Sequence, residues 1–267
     1  MTITTIVILC GHRESFAQAL ESAIVQTGDF EHEILVLDDA STDGTTDIVR
    51  GYAKRYPGLV KDISNRENLG ISGNLKHAFS LAGGEYIAIL EGDDYWTDTR
   101  KLEKQLAFLE ENRECPMVFS RIRLQCGETY NTLPRQDNLP EKLGNADLLA
   151  YKGKNPICSV SCCLFRKDAL EALPDIVCGP RFNEMAAAFF LVQLGPIGHM
   201  QDFLSVHREQ NPGCVPSKTK EVGGRRHWMR SSPPEWWRGR TVGVLLTTTL
   251  RMPSGDCLAP ADKASLA

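Results

Sequence analysis

Glu91-Gly-Asp93-Asp94 places three carboxylates within four residues. At that density they repel one another unless a cation or several donors neutralise them. A hard divalent ion shared with substrate phosphates suits such a group. The segment follows Tyr86-Ile-Ala-Ile-Leu90, an apolar run of the kind buried in a sheet, so these carboxylates stand at a strand tip. A second acidic pair, Asp38-Asp39, follows Glu33-Ile-Leu-Val-Leu37. One carboxylate there can accept the ring N–H of a pyrimidine, a discriminating contact because an unpaired buried carboxylate is costly. The neighbouring residues also suit plain structure: Asp43 can cap a helix beginning near Thr45, and Ser41 and Thr42 are ordinary turn residues.

The elements that must position these groups alternate. Strands are predicted at Ile3–Leu9, Glu33–Leu37, Val60–Ser64 and Tyr86–Leu90, with helices at Phe16–Gln26, Thr45–Tyr56 and Ile71–Leu81 between them. Such alternation implies crossover connections and a mostly parallel sheet, which binds ligands at the carboxyl ends of its strands. The residues following the four strands are Cys10-Gly-His-Arg13, Asp38-Asp39, Asn65-Arg-Glu-Asn-Leu-Gly70 and the Glu91 segment. A helix at Lys101–Glu111 leads to a second region with strands at Met117–Leu124 and Ser159–Phe165. There Gln125–Asn145 is expected as a long loop, and a helix at Glu184–Leu194 stops at Gly195-Pro196.

The formal net charge of -4 argues against nucleic acid as a partner. From Pro216 onward nine Lys+Arg face four Asp+Glu, a net +5, so residues 1–215 carry -9. This tail holds Trp228, Trp236 and Trp237 and shows no periodicity. It is expected to be poorly ordered, with contact to an anionic membrane surface as the rival reading. Nine scattered cysteines, with only Cys158, Cys162 and Cys163 clustered, lack a zinc ligand set and suit reduced thiols in the cytoplasm. The N-terminus has no signal-peptide layout, and no apolar run approaches membrane-spanning length.

Three of these segments, in this order, resemble glycosyltransferase family 2. Glu33-Ile-Leu-Val-Leu-Asp-Asp-Ala-Ser-Thr-Asp-Gly-Thr45 is similar to that family's second strand and donor-base loop. Asn65-Arg-Glu-Asn-Leu-Gly-Ile71 is similar to its third loop. Tyr86-Ile-Ala-Ile-Leu-Glu-Gly-Asp-Asp-Tyr-Trp96 with Lys101-Leu-Glu-Lys-Gln-Leu106 resembles its metal-binding Asp-x-Asp segment and following helix. The resemblance covers about residues 1–215 and implies an α/β GT-A nucleotide-diphospho-sugar transferase fold, with a mostly parallel central sheet flanked by helices. Residues 1–112 would form the nucleotide-binding half, residues 113–215 the acceptor half, and residues 216–267 the tail.

By the same resemblance Asp38, Asp39, Asn68, Gly70 and Asp93 bind the donor nucleotide, while Asp93, Asp94 and Glu91 hold Mn²⁺ or Mg²⁺. Glu184 is the catalytic base, where relatives carry Asp at the start of a helix. The chain departs from the family at Cys10-Gly-His-Arg13, where many relatives have Pro-Thr-Tyr-Asn, which leaves the base's aromatic packing open. The implied reaction is inverting transfer of a sugar, from a UDP-sugar first, to a hydroxyl of a glycan or lipid-linked acceptor in surface polysaccharide assembly. The implied setting is cytoplasmic, with peripheral contact at the inner face of the plasma membrane through the basic tail. Two alternatives are a catalytically impaired nucleotide-sugar-binding homologue and a sugar nucleotidyltransferase. The second would need a Gly-rich basic loop after the first strand, and Gly11-His-Arg13 is meagre. A phospho-receiver module would need its acidic pair after the first strand, which it lacks.

Overall fold

The computed structural model describes residues 1–9, 13–151, 155–174, 177 and 184–209. Cys10-Gly-His12, Asp175, Phe182-Asn183 and the basic tail from Pro216 lie outside the described residues. The chain divides into two units, Met1–Lys220 and Glu221–Ala267, and the description below concerns the first.

In the first half, β1 (Thr2–Leu9), β2 (Glu31–Asp38), β3 (Val60–Asp62) and β4 (Tyr86–Glu91) alternate with α1 (Arg13–Ile24), α2 (Thr45–Arg55) and α3 (Gly70–Leu81). Next come β5 (Tyr95–Trp96), α4 (Lys101–Glu111), β6 (Met117–Cys126), β7 (Thr129–Thr132), β8 (Lys142–Leu143) and α5 (Asn145–Ala150). A 3₁₀ turn at Val160–Cys162 precedes β9 (Cys163–Arg166), α6 (Lys167–Glu171), α7 (Glu184–Leu191) and β10 (Ile197–Arg208).

The strands form one sheet in the order β3-β2-β1-β4-β9-β6-β10-β5, with β7 on β6 and β8 on β10. β3, β2, β1 and β4 pair in parallel. β9 runs antiparallel to both β4 and β6, and β10 pairs in parallel with β6. β6 and β10 therefore point the same way as β1–β4, and along this path only β9 and β5 oppose them. The carboxyl ends of six strands thus share one edge of the sheet, as a ligand site requires.

Burial on both faces explains why these strands read as unbroken apolar runs. Side chains alternate: Ile6, Ile8, Leu35, Leu37, Ile87 and Ile89 enter one core with α3 and α7. Val7, Leu9, Ile34, Val36, Ala88 and Leu90 enter the other with α1 and α4. Three expectations need correction. The segment Gln125–Asn145 is not all loop, because β7 and β8 lie within it; β7 is exposed at every residue, so it carries no apolar alternation to betray it. Ser159–Phe165 is a strand only from Cys163, because the Ser159 hydroxyl accepts the Ser161 N–H and curls the chain first. Among described cysteines, Cys115, Cys158, Cys162 and Cys163 are free, whereas Cys126 is disulfide-bonded, a departure from reduced thiols throughout.

Candidate active site

At the end of β4, Glu91, Asp94 and His207 come together. Their ligand atoms all lie within 4.8 Å of one another. Asp94 is fully buried. Its Oδ1 accepts from His207 Nδ1 at 2.9 Å and from the Arg208 N–H at 3.2 Å. Glu91 and His207 keep some accessible surface, so the group opens outward from a buried anchor.

Ser159 links the two carboxylates. Its Oγ lies 3.0 Å from Glu91 Oε2, 2.9 Å from Asp94 Oδ2 and 3.0 Å from the Ser161 N–H that it accepts. One hydroxyl carries one proton and cannot donate to both carboxylates at once. The contact is satisfied when Glu91 is protonated and donates to Ser159, which donates to Asp94. The electrostatics agree. Burial first, then the charges of Asp94, Asp93 and Glu184, push Glu91 up to about 8. Burial also acts to raise Asp94, but the His207 charge and hydrogen bond prevail and lower it. Burial opposes the His207 imidazolium, yet Asp94 outweighs it and raises His207 to about 10.

Glu184, at the first position of α7, joins this group. Burial raises its carboxyl to about 7, with Asp94 adding to the rise, while His207 and the Val160 amide lower it. A carboxylate with that pKa is poised to exchange protons near neutrality. The structure therefore brings Glu91 and Asp94 from one segment, Glu184 from a second and His207 from a third into one group. Asp93 is close enough for its charge to raise Glu91, but it is not one of the three clustered ligands. Its carbonyl accepts from Arg208 Nη1 at 2.8 Å.

The Asp38-Asp39 tip lies at the end of β2. Asp38 is fully buried, and its carboxylate accepts from the Ser41 and Thr46 hydroxyls, tying the loop to the start of α2. Asp39 Oδ1 accepts the Leu69 N–H at 2.8 Å and Oδ2 the Gly70 N–H at 3.0 Å, which places a carboxylate on the positive end of α3. Asn68 Nδ2 donates to the Asp39 carbonyl at 3.2 Å, and its Oδ1 accepts from Gly70. Gly70 adopts φ +69°, open to glycine and strained for other residues. Asp39, Asn68 and Gly70 thus form one hydrogen-bonded unit.

His207 is the residue that sequence reasoning missed. Its signal was a histidine closing the apolar Phe203-Leu-Ser-Val206 run. Gln201 and Asp202 separate that run from the apolar start of β10, and the β10 register with β6 shifts between Met200 and Ser205, so neither strand period carries through.

Two carboxylates and an imidazole whose ligand atoms converge offer the oxygen and nitrogen donors that suit a divalent cation, which would displace the protons on Glu91 and His207. Among the described residues, no helix is long and apolar enough to cross a membrane.

The putative glycosyltransferase EpsE of Bacillus subtilis is 41% identical over 104 residues, which are 39% of this chain and 37% of that protein. The chain spans about a third of the length of the curated relatives it matches. TarS residues 1–349 of S. aureus, in complex with UDP-GlcNAc, superposes with TM-score 0.62 at 19% identity, covering 79% of this chain and 59% of that one. The mannosyltransferase PcManGT of Pyrobaculum calidifontis, in complex with GDP-Man and Mn²⁺, gives 0.57 at 21%, covering 77% and 56%. These two show a shared GT-A fold. The family model described as glycosyl transferase family 2 matches residues 4–173, and the chain belongs to that family.

Proposed function

We propose that the protein transfers a sugar from a nucleotide-diphosphate sugar, a UDP-sugar first, to an acceptor hydroxyl with inversion. The observation that carries this reading is the convergence of Glu91, Asp94 and His207 beside Glu184. EpsE supports the class of reaction by its name, and TarS and PcManGT support it by the UDP-GlcNAc and GDP-Man they bind.

In this reading Glu91, Asp94 and His207 hold Mn²⁺ or Mg²⁺, with Asp93 facing the donor diphosphate. The ion supplies Lewis-acid stabilisation of the departing diphosphate. Ser159 orients Glu91 and Asp94 through its single hydroxyl. The Asp39 carboxylate, held by two α3 amides, accepts the ring N–H of the base in this reading. Asp38, Asn68 and Gly70 keep that loop in place. Glu184 takes the acceptor hydroxyl's proton from the face opposite the leaving group, which gives inversion without a covalent sugar intermediate.

The acceptor is a glycan or a lipid-linked sugar, in surface polysaccharide assembly on the cytoplasmic side of the membrane, with the basic tail from Pro216 making peripheral contact. The test incubates the whole chain with UDP-, GDP- and dTDP-sugars and Mn²⁺, reading thermal shift and nucleotide release. Metal-dependent stabilisation and release by one nucleotide series are expected. Donor release that persists unchanged in excess EDTA would overturn the metal assignment, and no response to any sugar nucleotide would overturn the whole reading.

A further inference from the structure

The turn that leads from Cys158 into β9 serves both parts of the acidic group. The Ser159 hydroxyl sits between Glu91 and Asp94, and the Val160 N–H reaches the Glu184 carboxyl. The Ser161 hydroxyl accepts the Glu91 N–H at 3.1 Å. Cys158 enters the turn at φ +78°, a left-handed conformation that a non-glycine residue keeps only where its surroundings over-determine it.

The turn is gripped from behind. The Val160 and Cys162 side chains enter the core shared with α7, but the carbonyls that follow are held by β5 and α4. Trp96 Nε1 donates to the Ser161 carbonyl and Gln105 Nε2 to the Cys162 carbonyl, each at 2.8 Å. The Ser205 hydroxyl adds a bond to Ser161 at 3.1 Å, and Ser120 makes a longer contact with Cys162 at 3.5 Å.

Gln105 is itself fixed by Lys101, one turn earlier on α4. Lys101 Nζ donates to Gln105 Oε1 at 2.6 Å and lies 4.3 Å from the Trp96 ring centroid. Both Lys101 and Gln105 are fully buried. Among the described residues no carboxylate pairs with Lys101, and burial lowers its pKa to about 8. An apolar side chain would cost less at such a position, so stability alone does not account for the lysine. An ammonium only donates and a backbone carbonyl only accepts. Gln105, lying between them, must therefore turn its oxygen to Lys101 and its amide N–H to Cys162.

We propose that Gln105, oriented by Lys101, is a positioning residue for sugar transfer, acting through the Cys162 carbonyl on the turn that sets Ser159 against the metal ligands and the Val160 N–H against Glu184. The inference rests on the glycosyl-transfer reading above and extends its machinery into the core behind the site. Two variants of the whole chain test it. Gln105→Glu keeps an acceptor for Lys101 and removes the donor to Cys162. The double variant Lys101→Met with Gln105→Met fills the same space with apolar atoms, an exchange that buried polar pairs tolerate without losing stability. Melting temperature, Mn²⁺ affinity by calorimetry, and kcat and KM for nucleotide release at saturating Mn²⁺ are measured. Both variants should bind Mn²⁺ more weakly and lose kcat on the order of tenfold. KM for the sugar nucleotide should change little, because the Asp39 loop is untouched. The double variant should also keep its melting temperature, which a merely structural role would not combine with a lower kcat. Wild-type kcat and Mn²⁺ affinity in either folded variant would overturn the inference. Loss of folding in both variants would overturn it too, by assigning the pair to stability. A wild type that releases no nucleotide from any sugar nucleotide would instead sink the transfer reading, and the Mn²⁺ affinities would then decide the positioning role.

Discussion

Glu184 is held in a state that burial disfavours, and this has two opposite consequences for one substitution. As base, it must be ionised. With its pKa raised to about 7, transfer should rise with pH through about 7 and then level off. Glu184→Gln should lose transfer by roughly 10²–10⁴-fold while keeping donor and metal affinity. Stability should move the other way. The folded pKa lies above the usual carboxylate value, so ionisation opposes folding above that value. In metal-free protein the Gln variant should therefore be more stable than wild type by on the order of 1–3 kcal/mol at pH 8, with the difference gone near pH 4.5. Urea titrations at the two pH values check this; a variant less stable at pH 8 would show that Glu184 is compensated within the fold. His207→Ala removes both the imidazole and the partner of Asp94. It should weaken Mn²⁺ binding by calorimetry, and Asp94→Asn should do so more than Asp93→Asn because Asp93 is outside the clustered ligands.

At the scale of elements, the start of α3 depends on a carboxylate supplied from β2. Asp39 satisfies the Leu69 and Gly70 amides, two of the helix's otherwise orphaned donors. Asp39→Ala should consequently lower stability by about 1–3 kcal/mol, as well as weakening nucleotide binding. For a domain of this size that corresponds to a melting shift of about 2–4 °C per kcal/mol. Unchanged affinity for the free nucleoside diphosphate alongside a lowered melting point would leave Asp39 as a helix cap only. Gly70→Ala separates the two roles. Nothing crowds a Cβ there, but φ is +69°, so the variant should cost about 1–2 kcal/mol through backbone strain alone and keep the Asp39 carboxylate.

At the scale of the whole molecule, the covering of the sheet buries His199. Among the described residues, no hydrogen bond of ordinary geometry reaches either ring nitrogen, the Leu139 and Pro140 carbonyls being only loosely placed toward them, and the ring packs 4.9 Å from Phe119. Burial lowers its pKa to about 4, helped by Arg121 and opposed by the Leu139 and Pro140 carbonyls. A depressed histidine pKa means the unfolded chain takes up the proton first as pH falls. His199→Leu should thus gain on the order of 1–3 kcal/mol relative to wild type between pH 7 and pH 4; parallel stability curves across that range would refute it. The sequence by itself determined the alternation that builds β1–β4, the period-2 burial on both faces, and the acidic strand tips, because those are local patterns of polarity and spacing. It also placed Glu184 at the head of a helix. Only the tertiary structure decided that Glu184 faces Glu91 and Asp94, that His207 joins them ahead of Asp93, and that Asp39 caps α3. Those pairings join segments up to 116 residues apart. They depend on β9 running antiparallel between β4 and β6, and on a register shift in β10. Such long-range registry is set by how the sheet packs, which no local period encodes.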